Sequence, residues 1–273
     1  MKPNLIDLNV FNQTISIGSY IMFNLILNPL IVIIVNIIIL TKQSVSLLKA
    51  FVSSIIIVIT VIIGARLTHV IIAWGYYRDF SVNPFSLSPS GFAMYGGFIS
   101  ALPILYLLSR FTKKSFFRFL DYITPGWAIG IFFNKIGCFL NGCCFGIPTS
   151  SFIGVRYPEG SSPYNFYYNK LLAEAPIDIV TLSSISIHPV QLYEAIIGIF
   201  CFVIAIYLIN KHYKAGIACF ITVAIYAFSR IVFHFLRAFP SSTTMNYYLI
   251  LFFYIIVFLF TLFMLIKTNN QKT

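Results

Sequence analysis

The sequence predicts an all-α membrane protein, a polytopic helix bundle of about seven transmembrane helices with a small extramembrane head. Of its 273 residues, 59% are hydrophobic and only 9% are charged, whereas a soluble domain carries about 25% charged residues. Long apolar runs recur along the chain, and most approach the length of about 20 residues that crosses a bilayer as a helix. We therefore treat residues 1–273 as a single integral membrane domain.

The apolar runs predict seven spans in order along the chain. They cover approximately residues 15–40, 50–74, 91–109, 122–140, 188–210, 215–236 and 247–266. Asn28-Pro29 predicts a kink in the first span, because proline removes a helical hydrogen bond. Residues 1–14 are interpreted as a polar lead and not as a cleaved signal peptide, since the run after them is long enough to span. Residues 141–187 are the extended polar segment and predict a small periplasmic head.

Charge predicts how the bundle is oriented. The loops 41–49, 110–121 and 211–214 and the C-terminal tail carry more Lys and Arg than the opposite side. Basic loops remain in the cytoplasm, so we expect a multi-pass protein of the bacterial inner membrane with its N-terminus outside and its C-terminus inside. The net charge of +11 does not indicate a nucleic-acid partner, because the basic residues are scattered between apolar segments. They are better explained by topology and by contacts with anionic membrane lipids.

This topology predicts that polar residues distant in sequence lie in one layer near the outer leaflet. They are Arg66, His69, Tyr95, Lys135, Asn141, His188, Gln191, Glu194, Arg230, His234 and Arg237. Ionisable residues within membrane sequence are costly and mark functional sites. Arg66, Lys135 and Arg230 have Glu194 as the nearest acid, so the surplus is positive. That surplus suits a phosphate-bearing lipid, because arginine offers a planar fork of donors and lysine a point charge.

Structural interpretations remain open for the same residues. Arg66 and Lys135 could extend to the membrane surface, and the histidines could be satisfied within the interior. His188-Pro189 also reads as a helix start, since proline is favoured in the first turn. Gln191 and Glu194 could then form hydrogen bonds inside the bundle.

The cysteines leave three interpretations open. Cys138, Cys143 and Cys144 are close in sequence but lack zinc-finger spacing. They could be metal ligands, a disulfide on the oxidising side, or small packing residues, and the sequence by itself predicts no metal. Cys201 and Cys219 lie in apolar runs and are interpreted as small core or lipid-facing residues.

Five motifs occur in a recognisable order. They are Gly64-Ala65-Arg66, Tyr95-Gly96-Gly97, Lys135-Ile136-Gly137-Cys138-Phe139-Leu140-Asn141-Gly142, His188-Pro189-Val190-Gln191-Leu192-Tyr193-Glu194, and Tyr226 with Arg230 and Arg237. In combination they resemble the bacterial prolipoprotein diacylglyceryl transferases over about residues 15–265, in a branch with a Gly-Cys-Phe-Leu-x-Gly-Cys-Cys motif.

The resemblance implies an enzyme of lipoprotein biosynthesis without a cofactor. Its partners would be phosphatidylglycerol, prolipoprotein signal peptides and membrane lipids. A diacylglyceryl group would pass to the thiol of the lipobox cysteine, forming a thioether. The implied catalytic residues are Arg230, Lys135, Tyr95 and His188. The implied lipid- or substrate-binding residues are Arg66, Asn141, Gln191, Glu194, Tyr226, His234 and Arg237.

This chain also departs from the family pattern. Many members have His at the Tyr95 position, Arg at Lys135 and Glu at His234. The group that accepts the thiol proton is therefore open, with Tyr95, His188, His234 and His69 as candidates by type. A catalytically silent paralogue that binds lipid or lipoprotein is the alternative. A transporter is disfavoured, because transporter sites lie near the membrane midplane, whereas the polar residues of this chain are predicted to lie towards one leaflet.

Overall fold

The computed structural model describes residues 4–10, 13–79, 83–84, 91–174, 185–239 and 244–270. Most of these residues are helical, which confirms the predicted all-α class. The helices are α1 (Asn28–Lys42), α2 (Leu47–Ile72), α3 (Trp74–Asp79), α4 (Met94–Phe111), α5 (Phe116–Asn141), α6 (Ser162–Glu174), α7 (Val190–Asn210), α8 (Ile217–His234) and α9 (Thr244–Asn270). The strands are β1 (Asn4–Val10), β2 (Gln13–Gly18), β3 (Val155–Arg156) and β4 (Ser186–Ile187).

Six helical stretches within the described residues are long and apolar enough to cross a membrane. They are Ile21–Lys42, Leu47–Ile72, Phe116–Asn141, Val190–Asn210, Ile217–His234 and Tyr247–Asn270. The remaining predicted span coincides with α4, whose apolar part, Tyr95–Phe111, is shorter. Large apolar side chains are exposed along these helices, Ile71 and Ile196 among them, as expected for surfaces that face lipid. The polytopic membrane architecture is therefore confirmed.

The first span begins later than predicted. Residues 13–18, which the sequence assigned partly to the span, form β2, and β2 pairs antiparallel with β1. A π-helical segment, Ile21–Leu27, follows and gives way to α1 at Asn28. The change falls at the predicted Asn28-Pro29 position, because Pro29 has no backbone N–H and cannot continue the hydrogen-bond pattern before it.

The fourth span begins earlier than predicted, at Phe116 and not near residue 122. Its charged residue Asp121 lies inside α5 and is buried. The Asp121 carboxylate accepts the backbone N–H groups of Gly216 at 2.7 Å and Cys219 at 2.9 Å. A carboxylate at a helix N-terminus satisfies backbone donors that lack intrahelical partners. The acid that the sequence placed in a loop is thus compensated by the N-terminus of α8.

The chain divides into two compact units. The first unit comprises Met1–Asn28, Ala128–Ile204 and Phe220–Thr273, and the second comprises Pro29–Trp127 and Ala205–Cys219. In the second unit α2 packs directly on α4. A Cβ added at Gly96 would lie 2.0 Å from Thr68 Oγ1, so the close approach of the two helices requires this glycine. The prediction of one domain over residues 1–273 stays a prediction.

In the first unit, the segment after α5 forms a small head over the helix ends. β3 pairs with β4, and bridges join Gly146 to Arg237 and Pro148 to Ile187. Tyr157, Tyr167 and Ile187 form its buried core, and burial raises the pKa of both Tyr157 and Tyr167 to about 12. Residues 175–184 of the predicted head segment 141–187 lie outside the described residues, and its periplasmic location stays a prediction.

Candidate functional site

A buried carboxylate with two cations forms the centre of the candidate site. Glu194 is fully buried in the first part of α7. Lys135 Nζ, from α5, lies 2.6 Å from Glu194 Oε2, and Arg230 Nη1, from α8, contacts Glu194 Oε1. Three helices that are separate in sequence therefore place one charged side chain each at the same point of the first unit.

Local sequence explains how α7 presents its polar residues. His188 and Pro189 precede the helix, and the Pro189 carbonyl accepts the N–H groups of Leu192 and Tyr193. Gln191 and Glu194 are three residues apart and so lie on one helix face. Both are fully buried. The predicted helix start at His188-Pro189 thus aims an amide and a carboxylate into the interior.

The charge balance of this centre is positive. Lys135 and Arg230 are each only 8% exposed, and a single carboxylate contacts both. Burying an ion costs several kcal/mol unless it is paired, so this arrangement is costly for two cations on one acid. Arg230 also lies over the Tyr254 ring, with its guanidinium carbon 4.9 Å from the ring centroid. The ring stabilises the cation without neutralising it.

Two buried nitrogens at the site have no hydrogen-bond partner within the described residues. They are Arg230 Nε and His234 Nε2. His234 is 3% exposed and packs against aromatic rings, with the Tyr247 centroid 4.1 Å from its own. Buried polar groups in proteins are almost always hydrogen-bonded. The unpartnered donor on the buried Arg230 cation therefore indicates a place where an anionic or polar ligand can bind.

Neutral polar contacts connect the centre to the head. Gln191 Nε2 donates to the Cys143 carbonyl at 2.6 Å, and the Tyr157 hydroxyl lies 3.5 Å from Gln191 Oε1. His188 Nδ1 lies 3.1 Å from the Tyr193 hydroxyl. The Gln191 amide thus stabilises the turn after α5, and the His188 ring contacts Tyr193.

The turn after α5 also holds thiols and a further cation. Cys138, Cys143 and Cys144 place their sulfur atoms within 4.8 Å of one another, and Asn141 hydrogen-bonds Cys143. Arg237 Nη2 donates to Cys144 Sγ at 3.0 Å. Hydrogen bonds from the Cys138 and Cys143 thiols, together with the Arg237 charge, lower the pKa of Cys144.

In the second unit, Arg66 has a different environment. Its Nε donates to the Pro84 carbonyl at 2.7 Å and its Nη1 to the Gly91 carbonyl at 2.9 Å. Tyr77 and Phe92 rings flank the guanidinium. His69 Nδ1 lies 2.9 Å from the Tyr77 hydroxyl. Tyr95 is half-buried near the start of α4.

Several of the residues predicted from sequence thus lie within the first unit. Contacts join Lys135, Glu194 and Arg230 into the centre, Gln191 and Asn141 reach the turn after α5, and Arg237 reaches Cys144. Tyr226 is buried in α8 and packs on Tyr254. Their functional roles stay predictions, as do those of Arg66 and Tyr95. Tyr254 and Tyr157 were missed, because nothing distinguishes them among the chain's 17 tyrosines.

Comparison with known proteins gives a consistent result. A family model described as prolipoprotein diacylglyceryl transferase matches residues 10–266. A phosphatidylglycerol–prolipoprotein diacylglyceryl transferase of Clostridium tetani is 32% identical over 186 residues, which are 66% of this chain and 65% of the relative. A relative of the same name from Dehalococcoides mccartyi is 30% identical, covering 64% of this chain and 60% of its own. A transferase numbered 2 from Clostridium perfringens is 28% identical over 71% of this chain and 69% of its own. The chain thus spans just under two thirds of the Clostridium tetani relative's length.

Proposed function

Because the chain belongs to the prolipoprotein diacylglyceryl transferase family, we propose that it transfers an sn-1,2-diacylglyceryl group from phosphatidylglycerol to a prolipoprotein. The acceptor is the thiol of the lipobox cysteine in the signal peptide. The reaction is the first step of lipoprotein maturation in the bacterial inner membrane, and membrane lipid surrounds the bundle. The names of the relatives and the six apolar helices support this proposal.

The observation that carries the proposal is the positive centre on Glu194. Two buried cations share one carboxylate, and Arg230 Nε has no hydrogen-bond partner within the described residues. A phosphate oxygen supplies both the missing acceptor and the missing negative charge. Arginine is suited to phosphate because its planar guanidinium offers several donors at once. Arg230 and Lys135 are accordingly proposed to bind the phosphate of the lipid.

The same cations suit the chemistry of the transfer. The acceptor sulfur forms a bond to the terminal glycerol carbon of the diacylglyceryl group, and the bond from that carbon to the phosphate oxygen breaks. Glycerol phosphate leaves with the negative charge that develops on that oxygen. Fixed cations in a water-poor site stabilise such charge. The electron pair of the new bond comes from sulfur, and the thiol proton passes to a base.

The proposed base is one of the four residues that the sequence offers by type, Tyr95, His188, His234 and His69. The unpartnered Nε2 of His234 supports His234 among them. Gln191, Asn141, Glu194, Tyr226 and Arg237 are proposed to position the lipid or the cations, with Arg66 in the same role. For Glu194 this role is supported by its contacts, since it holds the two cations that would meet phosphate.

The test is a direct transfer assay. Purified protein is incubated with phosphatidylglycerol and a synthetic lipobox peptide, and mass spectrometry measures addition of the diacylglyceryl group to the peptide. We expect product with the cysteine peptide and none with the matched serine peptide. Arg230→Ala should abolish product, because the phosphate loses its forked donor. Arg78→Ala is the matched control, since Arg78 is an exposed arginine with a side chain 69% accessible.

The outcomes separate the two candidate functions. Product formation that survives Arg230→Ala contradicts the phosphate role. No product from the wild-type protein, with retained binding of phosphatidylglycerol and peptide, assigns the catalytically silent alternative. Rescue of a strain depleted of its own transferase gives the corresponding test in cells.

A further inference from the structure

Three free thiols come together at the C-terminal end of α5. Cys138 is buried near the end of the helix, and Cys143 and Cys144 follow in the next turn. Their three sulfur atoms lie within 4.8 Å of one another. The remaining cysteines, Cys201 and Cys219, lie in α7 and α8 and are not part of this group.

The backbone turns sharply between Cys138 and Cys144. Gly142 has φ +76° and the Cys143 N–H returns to the Cys138 carbonyl at 3.0 Å. Cys144 has φ +61°, a left-handed conformation that non-glycine residues seldom adopt. Gln191 fixes the turn through the Cys143 carbonyl. Such local strain persists where the surroundings enforce it, and it clusters at functional sites.

A positive charge beside the group favours a thiolate at Cys144. Arg237 Nη2 lies 3.0 Å from Cys144 Sγ. A guanidinium hydrogen bond stabilises the thiolate form of a cysteine, and outer contacts of this kind orient metal ligands. Thiolates are the ligands that zinc and other thiophilic ions select. Nearby positive charge also offsets the surplus negative charge of three thiolates on a divalent ion.

We propose that Cys138, Cys143 and Cys144 form a three-sulfur site for a thiophilic divalent cation of the zinc class. Zinc–sulfur bonds of about 2.3 Å place tetrahedral ligands about 3.8 Å apart, so a contraction of less than about 1 Å closes the site around the ion. Three protein sulfurs leave the fourth position of a tetrahedral ion for an external ligand. The sequence did not predict this site, because its spacing differs from zinc-finger spacing.

A disulfide explains the arrangement less well. It would join only two of the three sulfurs and leave the third without a role. Cys143 and Cys144 are adjacent, and the geometry of a disulfide disfavours a bond between neighbours. A metal ion uses all three sulfurs and the Arg237 contact together. This proposal does not depend on the transfer reaction.

The first test is metal binding by the full-length protein in detergent, purified under reducing, anaerobic conditions. Equilibrium dialysis with Zn²⁺ measures stoichiometry, and Cd²⁺ reports sulfur ligation by its ultraviolet charge-transfer absorption. We expect one ion for each chain. Cys138→Ser, Cys143→Ser and Cys144→Ser should each remove the absorption band, and Arg237→Ala should weaken binding about 10- to 100-fold. Cys201→Ser and Cys219→Ser are matched controls that should leave binding unchanged.

A second measurement needs no variant and so does not depend on whether the variants fold. The wild-type protein is alkylated with and without Zn²⁺, and mass spectrometry follows each cysteine. The ion should slow modification of Cys138, Cys143 and Cys144 and leave the rates at Cys201 and Cys219 unchanged. Absence of this protection, or a disulfide within the group that persists in reducing buffer, overturns the proposal.

Discussion

Two buried arginines in this protein are held in different ways. In the second unit, Arg66 gives its donors to the Pro84 and Gly91 carbonyls and lies against two aromatic rings. In the first unit, Arg230 shares a carboxylate with Lys135, and its Nε has no partner within the described residues. Because backbone carbonyls accept the Arg66 donors, this side chain stabilises local backbone structure. Arg230 has an unused donor and a second cation beside it, which suits the binding of an anionic ligand instead.

The difference shows what the same residue type can do in one membrane protein. From the sequence, both arginines are cations in apolar surroundings and both suit a phosphate. Their partners separate them, since Arg66 donates to the backbone carbonyls of Pro84 and Gly91 and Arg230 contacts a charged side chain. The following predictions test that separation, beginning with the largest expected effect.

Removing the shared carboxylate should have the largest effect on stability. Glu194→Gln keeps the shape of the side chain but leaves Lys135 and Arg230 buried without a counter-charge. Breaking a buried pair in this way costs about 3–5 kcal/mol. Thermal unfolding in detergent, followed by circular dichroism, should show a large loss of stability in this variant.

The control for this prediction is the exposed pair Arg78–Asp79. Its side chains are 69% and 57% accessible, and exposed pairs contribute about 0–1 kcal/mol. Asp79→Asn should therefore unfold almost as the wild type does. Equal stability of Glu194→Gln and Asp79→Asn would mean that Glu194 does not hold the two cations together.

Exchanging each arginine for lysine should separate their roles. Arg230→Lys keeps the charge but loses the forked donors, and loss of one donor to developing charge lowers kcat by about 10²- to 10³-fold. In Arg66→Lys, one ammonium cannot reach both carbonyls as the guanidinium does, so one contact is lost, and a hydrogen bond from a charged donor contributes about 1.5–3 kcal/mol. The transfer assay and thermal unfolding should therefore respond differently to the two variants, activity falling most in Arg230→Lys and stability in Arg66→Lys.

One combination of results would contradict this separation of the two arginines. If Arg66→Lys unfolds as the wild type does and loses as much activity as Arg230→Lys, Arg66 binds the lipid phosphate as the sequence first predicted. The two variants then belong to one class, and the difference in their surroundings has no functional meaning.

The fold and part of the candidate site could be predicted from the sequence. Composition and the length of the apolar runs are enough for the helical membrane fold, because a helix must satisfy its own backbone groups in lipid. The excess of positive charge near Glu194 could also be predicted, since a single acid near buried cations has few other partners. The partners of Arg66 could not be predicted, because they are backbone carbonyls, which every residue type has. The grouping of three thiols required the left-handed turn at Cys144, which no residue type at that position signals.

The smallest effect concerns the glycine that Arg66 contacts. Gly91 has φ +106°, and a Cβ there would lie 2.4 Å from Arg66 Nη1 and 2.7 Å from the Tyr77 hydroxyl. Gly160 has φ +77° with nothing within 4 Å of an added Cβ. Gly91→Ala and Gly160→Ala therefore both place an alanine at positive φ, which costs about 1–2 kcal/mol in the left-handed conformation, and only Gly91→Ala also displaces the arginine. We expect Gly91→Ala to lose about 1–3 kcal/mol more stability than Gly160→Ala in thermal unfolding.

Combining Gly91→Ala with Arg66→Lys should add little further loss of stability, since two changes at one contact are not additive. Full additivity would show that Gly91 and Arg66 stabilise the second unit independently.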